Sequence, residues 1–307
     1  MKISVLVPTY RRPDDLSRCL RALAGQHRAP DEVLVVLRED DHESRRITAE
    51  SAKQGLPLRQ VTVHQSGQVA ALNSGLMEIS GDVVAITDDD AAPWPDWLQR
   101  IEAHFMADAG IGGVGGRDWV YSGGELELGS FALVGKIRWY GRAIGHHHLG
   151  IGGAREVDIL KGANCAFRTS ALRPLGFDTR LRGHGAQVCN DMGISLAIKR
   201  AGWRLIYDPA VAVDHFPAKR HDLDQRASFN FQAHSNMVHN ETLVLLDHLP
   251  FWRKPVFLLW ALLIGTSDAY GLAQALRFLP KKGGIVLARF VASFHGRYEG
   301  VRTWLRT

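Results

Sequence analysis

Asp82-Val83-Val84-Ala85-Ile86-Thr87-Asp88-Asp89-Asp90-Ala91-Ala92-Pro93-Trp94-Pro95 carries an apolar run into three consecutive carboxylates and then into a proline-bounded loop. The run reads as a buried strand, and a strand that ends in a knot of carboxylates builds a cation site at its carboxyl edge. Three adjacent like charges repel one another and destabilise a compact fold unless a divalent ion, or donors presented by a ligand, neutralises them. The competing reading is a solvated acidic turn.

Upstream of this stretch, short apolar runs alternate with helical patterns. Strands are expected at 3–7, 32–37, 58–63 and 83–87, and helices at 14–23, 42–53 and 69–79. Such a βαβα series folds as a mainly parallel sheet covered on both faces, and ligands bind such sheets outside the carboxyl ends of the strands. Pro8-Thr9-Tyr10, Arg38-Glu39-Asp40 and Asp88-Asp89-Asp90 all fall at carboxyl ends, so three polar segments converge on one edge. Downstream, 110–121 reads as a returning strand and 157–168 as another. Between them lies a glycine- and aromatic-rich stretch, 122–156, that includes His146-His147-His148. Adjacent histidines point in different directions on any regular backbone, so this triplet reads as a substrate-facing or exposed loop in preference to a metal site.

With 307 residues and 46% apolar content the chain is long enough for one large α/β domain plus an appendage. Cys19, Cys165 and Cys189 lack the spacing of a disulfide frame or a thiolate zinc site, which fits a reducing cytosol. The apolar run after Met1-Lys2 is too short for a signal-peptide core, so the start reads as the first strand. The net charge of +5 is unevenly placed: residues 251–307 hold nine Lys/Arg against Asp268 and Glu299. The same tail holds the apolar runs 256–265 and 285–288, each shorter than the ~20 residues that span a bilayer. Helices lying on a membrane surface are expected there, with basic flanks toward anionic headgroups; a buried core helix or a dimer interface is the alternative. No nucleic-acid partner is expected.

Several motifs follow one another in a telling order. Val5-Leu6-Val7-Pro8-Thr9-Tyr10-Arg11-Arg12 opens the chain, and Gly67, Ala70, Ala71, Asn73 and Gly75 precede the acidic strand. Thr87-Asp88-Asp89-Asp90-Ala91 follows with Pro93, Trp97 and Leu98. Then come Lys161-Gly162-Ala163-Asn164-Cys165-Ala166-Phe167-Arg168, Gly176-Phe177-Asp178, Asn190-Asp191, Gly202-Trp203, Tyr207 and His215. This series resembles the inverting family-2 glycosyltransferases with the GT-A nucleotide-sugar-binding fold, over roughly the first two thirds of the chain.

The resemblance implies an α/β, Rossmann-like, mainly parallel sheet flanked by helices over 1–218. Residues 1–121 would bind the nucleotide sugar, 122–218 would hold the acceptor and catalytic part, and 219–307 would form a helical, membrane-associating extension. It also implies Mn2+ or Mg2+ on Asp88, Asp90 and His215, with Asp88 or Asp89 near the ribose. Expelling a diphosphate requires its charge to be neutralised, and carboxylates hold the hard ions that do this. An inverting displacement needs a carboxylate opposite the leaving group to take the acceptor's proton, and Asp191 matches the family's base. Asn190 stands where relatives carry Glu, so an amide replaces a charge beside the acceptor. Pro8, Thr9, Tyr10, Arg11 and Asn73 are further expected nucleotide-sugar contacts. Glu39 or Asp40 would accept the imide N–H of uracil or thymine, favouring a UDP- or dTDP-linked donor over a GDP-linked one. Lys161 and Asn164, with Asn190, are expected toward the acceptor, and Trp139 as part of its aromatic wall. The acceptor is expected to be a glycan, lipid-linked in view of the tail, met at the cytoplasmic face of the inner or plasma membrane. Two rivals are a nucleotidyltransferase, which lacks its glycine-rich phosphate loop here, and a non-catalytic scaffold subunit, against which the retained carboxylates argue.

Overall fold

The computed structural model describes residues 1–220, 222–224 and 228–306. They form two compact units, one of residues 1–136, 144–177 and 194–219, the other of 137–143, 178–193 and 220–306. The second unit therefore takes two internal segments from the stretch that the sequence assigns to the first domain.

The first unit opens with β1 (Ile3–Pro8), α1 (Pro13–Ala24), β2 (Glu32–Arg38), α2 (His42–Lys53), β3 (Leu58–Val63), α3 (Gln68–Glu78) and β4 (Val83–Thr87). Next come β5 (Ala91–Pro93), α4 (Trp97–Ala107), β6 (Ile111–Ser122), β7 (Glu125–Leu126), β8 (Lys136–Ile137) and β9 (Ala143–Ile144). They are followed by β10 (Arg155–Val157), β11 (Asn164–Arg168), α5 (Thr169–Leu172), α6 (Asn190–Arg200), whose residues 190–193 belong to the second unit, and β12 (Arg204–His215). The main sheet runs β10-β12-β6-β11-β4-β1-β2-β3. Its β4-β1-β2-β3 half is parallel, and β11 enters antiparallel between β4 and β6. β1, β2 and β4 are buried nearly end to end because helices cover both faces, which is why they read as unbroken apolar runs. α1 starts with Pro13 and two acidic residues and turns Leu16, Cys19, Leu20 and Leu23 into the core, a spacing that follows the helical period. α2 is capped by Asp41, whose side chain accepts from the Ser44 N–H.

The expected single strand at 157–168 is two elements. β10 pairs with β12, whereas β11 pairs with β4 and β6, and 158–163 turns between them. Ile159 and Leu160 are buried in that turn, so their apolar character follows packing, not strand pairing. At Gly116 any side chain would meet the Val211 carbonyl oxygen at 1.7 Å, which explains a glycine where β6 and β12 change register.

The second unit holds α7 (Phe231–His248), α8 (Arg253–Leu263), α9 (Leu272–Lys282) and α10 (Ile285–Leu305). α10 lies close against α7: a Cβ at Gly296 would come within 2.5 Å of the Ser235 carbonyl oxygen, and one at Gly300 within 2.7 Å of Thr242. Among the described residues no helix is long and apolar enough to cross a membrane.

Candidate active site

The end of β4 and the end of β12 meet through β5. After Thr87 the chain turns at the aspartates, with the Ala91 N–H donating to the Asp88 carbonyl, and β5 then runs antiparallel to β12. That register sets His215 opposite Ala91 and so beside Asp90. Asp90 is held by two donors, the Phe216 N–H on its carbonyl and the Ala218 N–H on Oδ2, each at 2.9 Å. Its other oxygen, Oδ1, lies 3.3 Å from His215 Nε2, and both atoms are buried without a hydrogen bond. Asp88, half-buried, brings a third ligand atom, and the three lie within 4.8 Å of one another. Two carboxylates and an imidazole, with Asp90 Oδ1 and His215 Nε2 buried and unbonded, are a fitting donor set for Mn2+ or Mg2+.

On its far side His215 Nδ1 meets Asp118 Oδ2 at 3.3 Å, and Lys161 Nζ donates to the same oxygen. Asp118 is fully buried on β6. The charges hold one another in place. Burial alone would lower the His215 pKa, but the carboxylates of Asp118 and Asp90 raise it to about 9. Burial alone would raise Asp90 and Asp118. The facing His215 brings Asp90 to about 2, helped by the Ala218 amide and Arg12; Lys161 and His215 do the same for Asp118. Asp88 is pushed up by burial and by the charge of Asp90.

Asp89, expected with Asp88 as a residue near the ribose, is buried. Its carboxylate is turned into the protein, where Oδ2 accepts from Thr9 Oγ1 at 2.8 Å and Oδ1 from Arg12 at 2.9 Å. Burial pushes its pKa up to about 7 against the pull of Arg12. The same contact engages the Thr9 hydroxyl, and the Thr9 N–H donates to the Val36 carbonyl. Asn73 is also a structural tie: its amide donates to the Phe177 carbonyl and accepts the Phe177 N–H, both at 2.8 Å. Asn164, expected toward the acceptor, is buried with its Oδ1 on Trp97 Nε1 and its Nδ2 on the carbonyls of Arg117 and Val211. Each of these side chains is tied into the fold by hydrogen bonds to other parts of the protein.

A family model described as "Glycosyltransferase like family 2" matches residues 1–232. The chain belongs to this family. A "Glucosyl-dolichyl phosphate glucuronosyltransferase" of Haloferax volcanii is 26% identical over 234 residues, covering 70% of this chain and 69% of the relative. Two solved structures share the fold. The mannosyltransferase PcManGT from Pyrobaculum calidifontis, in complex with GDP-Man and Mn2+, has a TM-score of 0.57 and 18% identity over 99% of this chain and 87% of that one. S. aureus TarS 1-349, in complex with UDP-GlcNAc, has a TM-score of 0.65 and 16% identity over 98% and 82%. The fold is GT-A and the protein is a nucleotide-sugar glycosyltransferase.

In this family-2 glycosyltransferase the ends of β1 and β2 also converge. Asp40 Oδ2 accepts from Arg11 at 3.0 Å and from the Tyr10 hydroxyl at 3.2 Å, while Glu39 is exposed beside His64. Arg11 has a φ of 55° and its N–H donates to Asp41, so a left-handed turn sets the direction of its side chain. The triple histidine splits three ways. His147 is buried with Nε2 on the Ile159 carbonyl, His146 stacks on Phe131, and His148 lies 3.7 Å from Glu127. In the second unit, Asp191 opens α6 half-buried, with its Oδ1 accepting the Met192 N–H at 2.8 Å. Asn190 is buried and donates to the Gln187 carbonyl. Trp139 is 63% exposed and meets Tyr140 edge to face.

Sequence reasoning missed Arg12, Asp118 and Asn240 as organisers. Asn240 of α7 donates to the carbonyls of Arg182 and Val188 and accepts the Arg182 N–H, so it fastens the loop that leads to Asp191. A signal existed for two of them: Asp118 is a charge inside the glycine-rich strand 111–122, and Asn240 interrupts the apolar face of a long helix.

Proposed function

We propose that the protein is an inverting, metal-dependent glycosyltransferase of polysaccharide assembly. It moves a sugar from a nucleotide-diphosphate donor to a hydroxyl of a lipid-linked glycan at the cytoplasmic face of the membrane. The observation that carries this reading is the buried, unsatisfied pair of Asp90 Oδ1 and His215 Nε2 with Asp88 beside it. Mn2+ or Mg2+ bound there supplies neutralising charge to the departing diphosphate. Asp118 accepts from His215 Nδ1–H and thereby aims Nε2 at Asp90, where a bound cation would take the place of the Nε2 proton that the two carboxylates hold in its absence. Arg12 keeps Asp89 out of the way and adds a positive charge 3.7 Å from Asp90.

Asp191 is the base that takes the acceptor's proton, a role assigned by family resemblance. Glu39 or Asp40 accepts from the donor's base, which favours uracil or thymine. The neighbours carry both GDP-Man and UDP-GlcNAc, so the choice of nucleotide rests on those carboxylates alone. The lipid-linked acceptor is supported by the Haloferax relative, whose name contains a dolichyl phosphate, and by the basic, apolar tail.

The test is thermal stabilisation by a panel of nucleotide sugars with and without Mn2+ or Mg2+. A ligand that binds only the folded state at about 100 times its Kd adds about 2.7 kcal/mol of stability. A UDP- or dTDP-linked sugar should stabilise only when metal is present. Stabilisation that is indifferent to metal would count against the site, and a preference for GDP-linked sugars against the base assignment.

A further inference from the structure

We propose that α8, α9 and α10 form a docking face for the surface of an anionic lipid bilayer. The inference goes beyond the transfer reaction and stands without it. Each helix buries one side and leaves an apolar stripe on the other. α8 buries Phe257 and Ala261 and exposes Leu259, Leu262 and Leu263. α9 buries Ala275 and exposes Leu272, Leu276 and Leu279, the middle one at 62%. α10 packs Gly296 and Gly300 against α7 and exposes Leu287, Val291, Phe294 and Tyr298. Single exposed leucines are ordinary on protein surfaces. Exposed apolar residues at helical spacing on three successive helices are not, and they mark a surface that something covers.

Charge decides what covers it. Residues 251–307 carry nine Lys/Arg and two acidic residues; Arg297 is buried against Glu241, whereas Arg277, Lys281 and Lys282 stand exposed on α9. A second copy of this face would bring like charges together. A bilayer containing anionic lipid offers hydrocarbon to the stripes and phosphate to the lysines. The face lies on the membrane and does not cross it: α8 and α9 have 11 residues each, about 17 Å against a core of about 30 Å. α10 has 21 residues but holds Arg289, Arg297, Glu299 and Arg302.

The full-length protein is to be sedimented with phosphatidylcholine vesicles, with and without phosphatidylglycerol, at low and high salt. It should partition onto the phosphatidylglycerol vesicles at least tenfold better and come off in high salt. Lys281→Gln with Lys282→Gln should weaken binding about 25-fold, at about fivefold per charge. Leu276→Ser with Phe294→Ser should abolish it. All four side chains are exposed or edge the surface, so circular dichroism, Tm and nucleotide-sugar binding should stay as in the parent. Equal partition onto both vesicle types, or binding unchanged in both variants, overturns the proposal. So does loss of a dimer in sedimentation velocity on serine substitution without any vesicle binding, which would make the stripes an interface between copies.

Discussion

His215 is available as a ligand because Asp118 fixes its ring. With Nδ1–H committed to Asp118 Oδ2, the remaining nitrogen faces Asp90 and Asp88, where a bound cation would displace its proton. Asp118→Asn keeps the shape, but its amide can present an N–H to the ring and favour the wrong tautomer. Mn2+ affinity, read by titration calorimetry without any donor sugar, should fall about 10–100-fold. An unchanged affinity would leave Asp118 as a partner of Lys161 alone. Side-chain direction also explains what the sequence could not reveal. The order Asp88-Asp89-Asp90 was legible as an acidic strand end, and His215 as its partner from a late strand. That Asp89 turns away to Thr9 and Arg12 was not, because three consecutive side chains cannot all face one point and the sequence does not say which turns aside. Asn73 and Asn164 were assigned by family resemblance, and an amide serves backbone carbonyls as readily as a sugar hydroxyl.

Among the elements, α7 does two jobs that its sequence conceals. Through Asn240 it closes three hydrogen bonds to the 178–193 segment, and Asn240→Ala would leave that buried backbone unsatisfied at about 1–3 kcal/mol per group. The expected outcome is a lower Tm and slower transfer, with nucleotide-sugar binding retained; unimpaired transfer would detach the loop from catalysis. Through His234 the same helix meets α10. Nε2 lies 2.8 Å from Ser293 Oγ, and burial with the charge of Arg289 lowers the pKa to about 4. The unfolded chain takes up this proton near pH 6.5 and the folded chain only near 4, so stability is complete above about 6.5 and drains away as the pH falls through that window. His234→Gln should flatten the fall of Tm between pH 7 and 5, and an equally steep fall would place the acid sensitivity elsewhere. Elements with local signals were the legible ones: the helix at 42–53 and the strands at 58–63 and 83–87 lie where their periodicity puts them. At 157–168 burial was mistaken for pairing, since Ile159 and Leu160 are apolar within a turn.

At the scale of the molecule, a reading in chain order cuts once near 218, whereas the units interleave. Residues 137–143 and 178–193 belong with the C-terminal helices, and no shift in composition marks either junction. The expected metal ligands belong to the first unit and the expected base, Asp191, to the second. Binding the donor and deprotonating the acceptor are therefore assigned to residues that belong to separate units, and mutation should separate the two functions. Asp90→Ala removes a ligand atom whose near neighbour is the other expected ligand, His215, so donor binding should lose its dependence on metal and transfer should fall with it. Asp191→Asn keeps the size of the side chain and removes its basicity. Transfer should drop by about 10²–10⁴-fold while metal-dependent stabilisation by the donor stays within about threefold of the parent. Persistent turnover in Asp191→Asn would move the base elsewhere without touching the metal assignment. Lost donor binding in that variant would instead mean that Asp191 positions the sugar and does not take the proton.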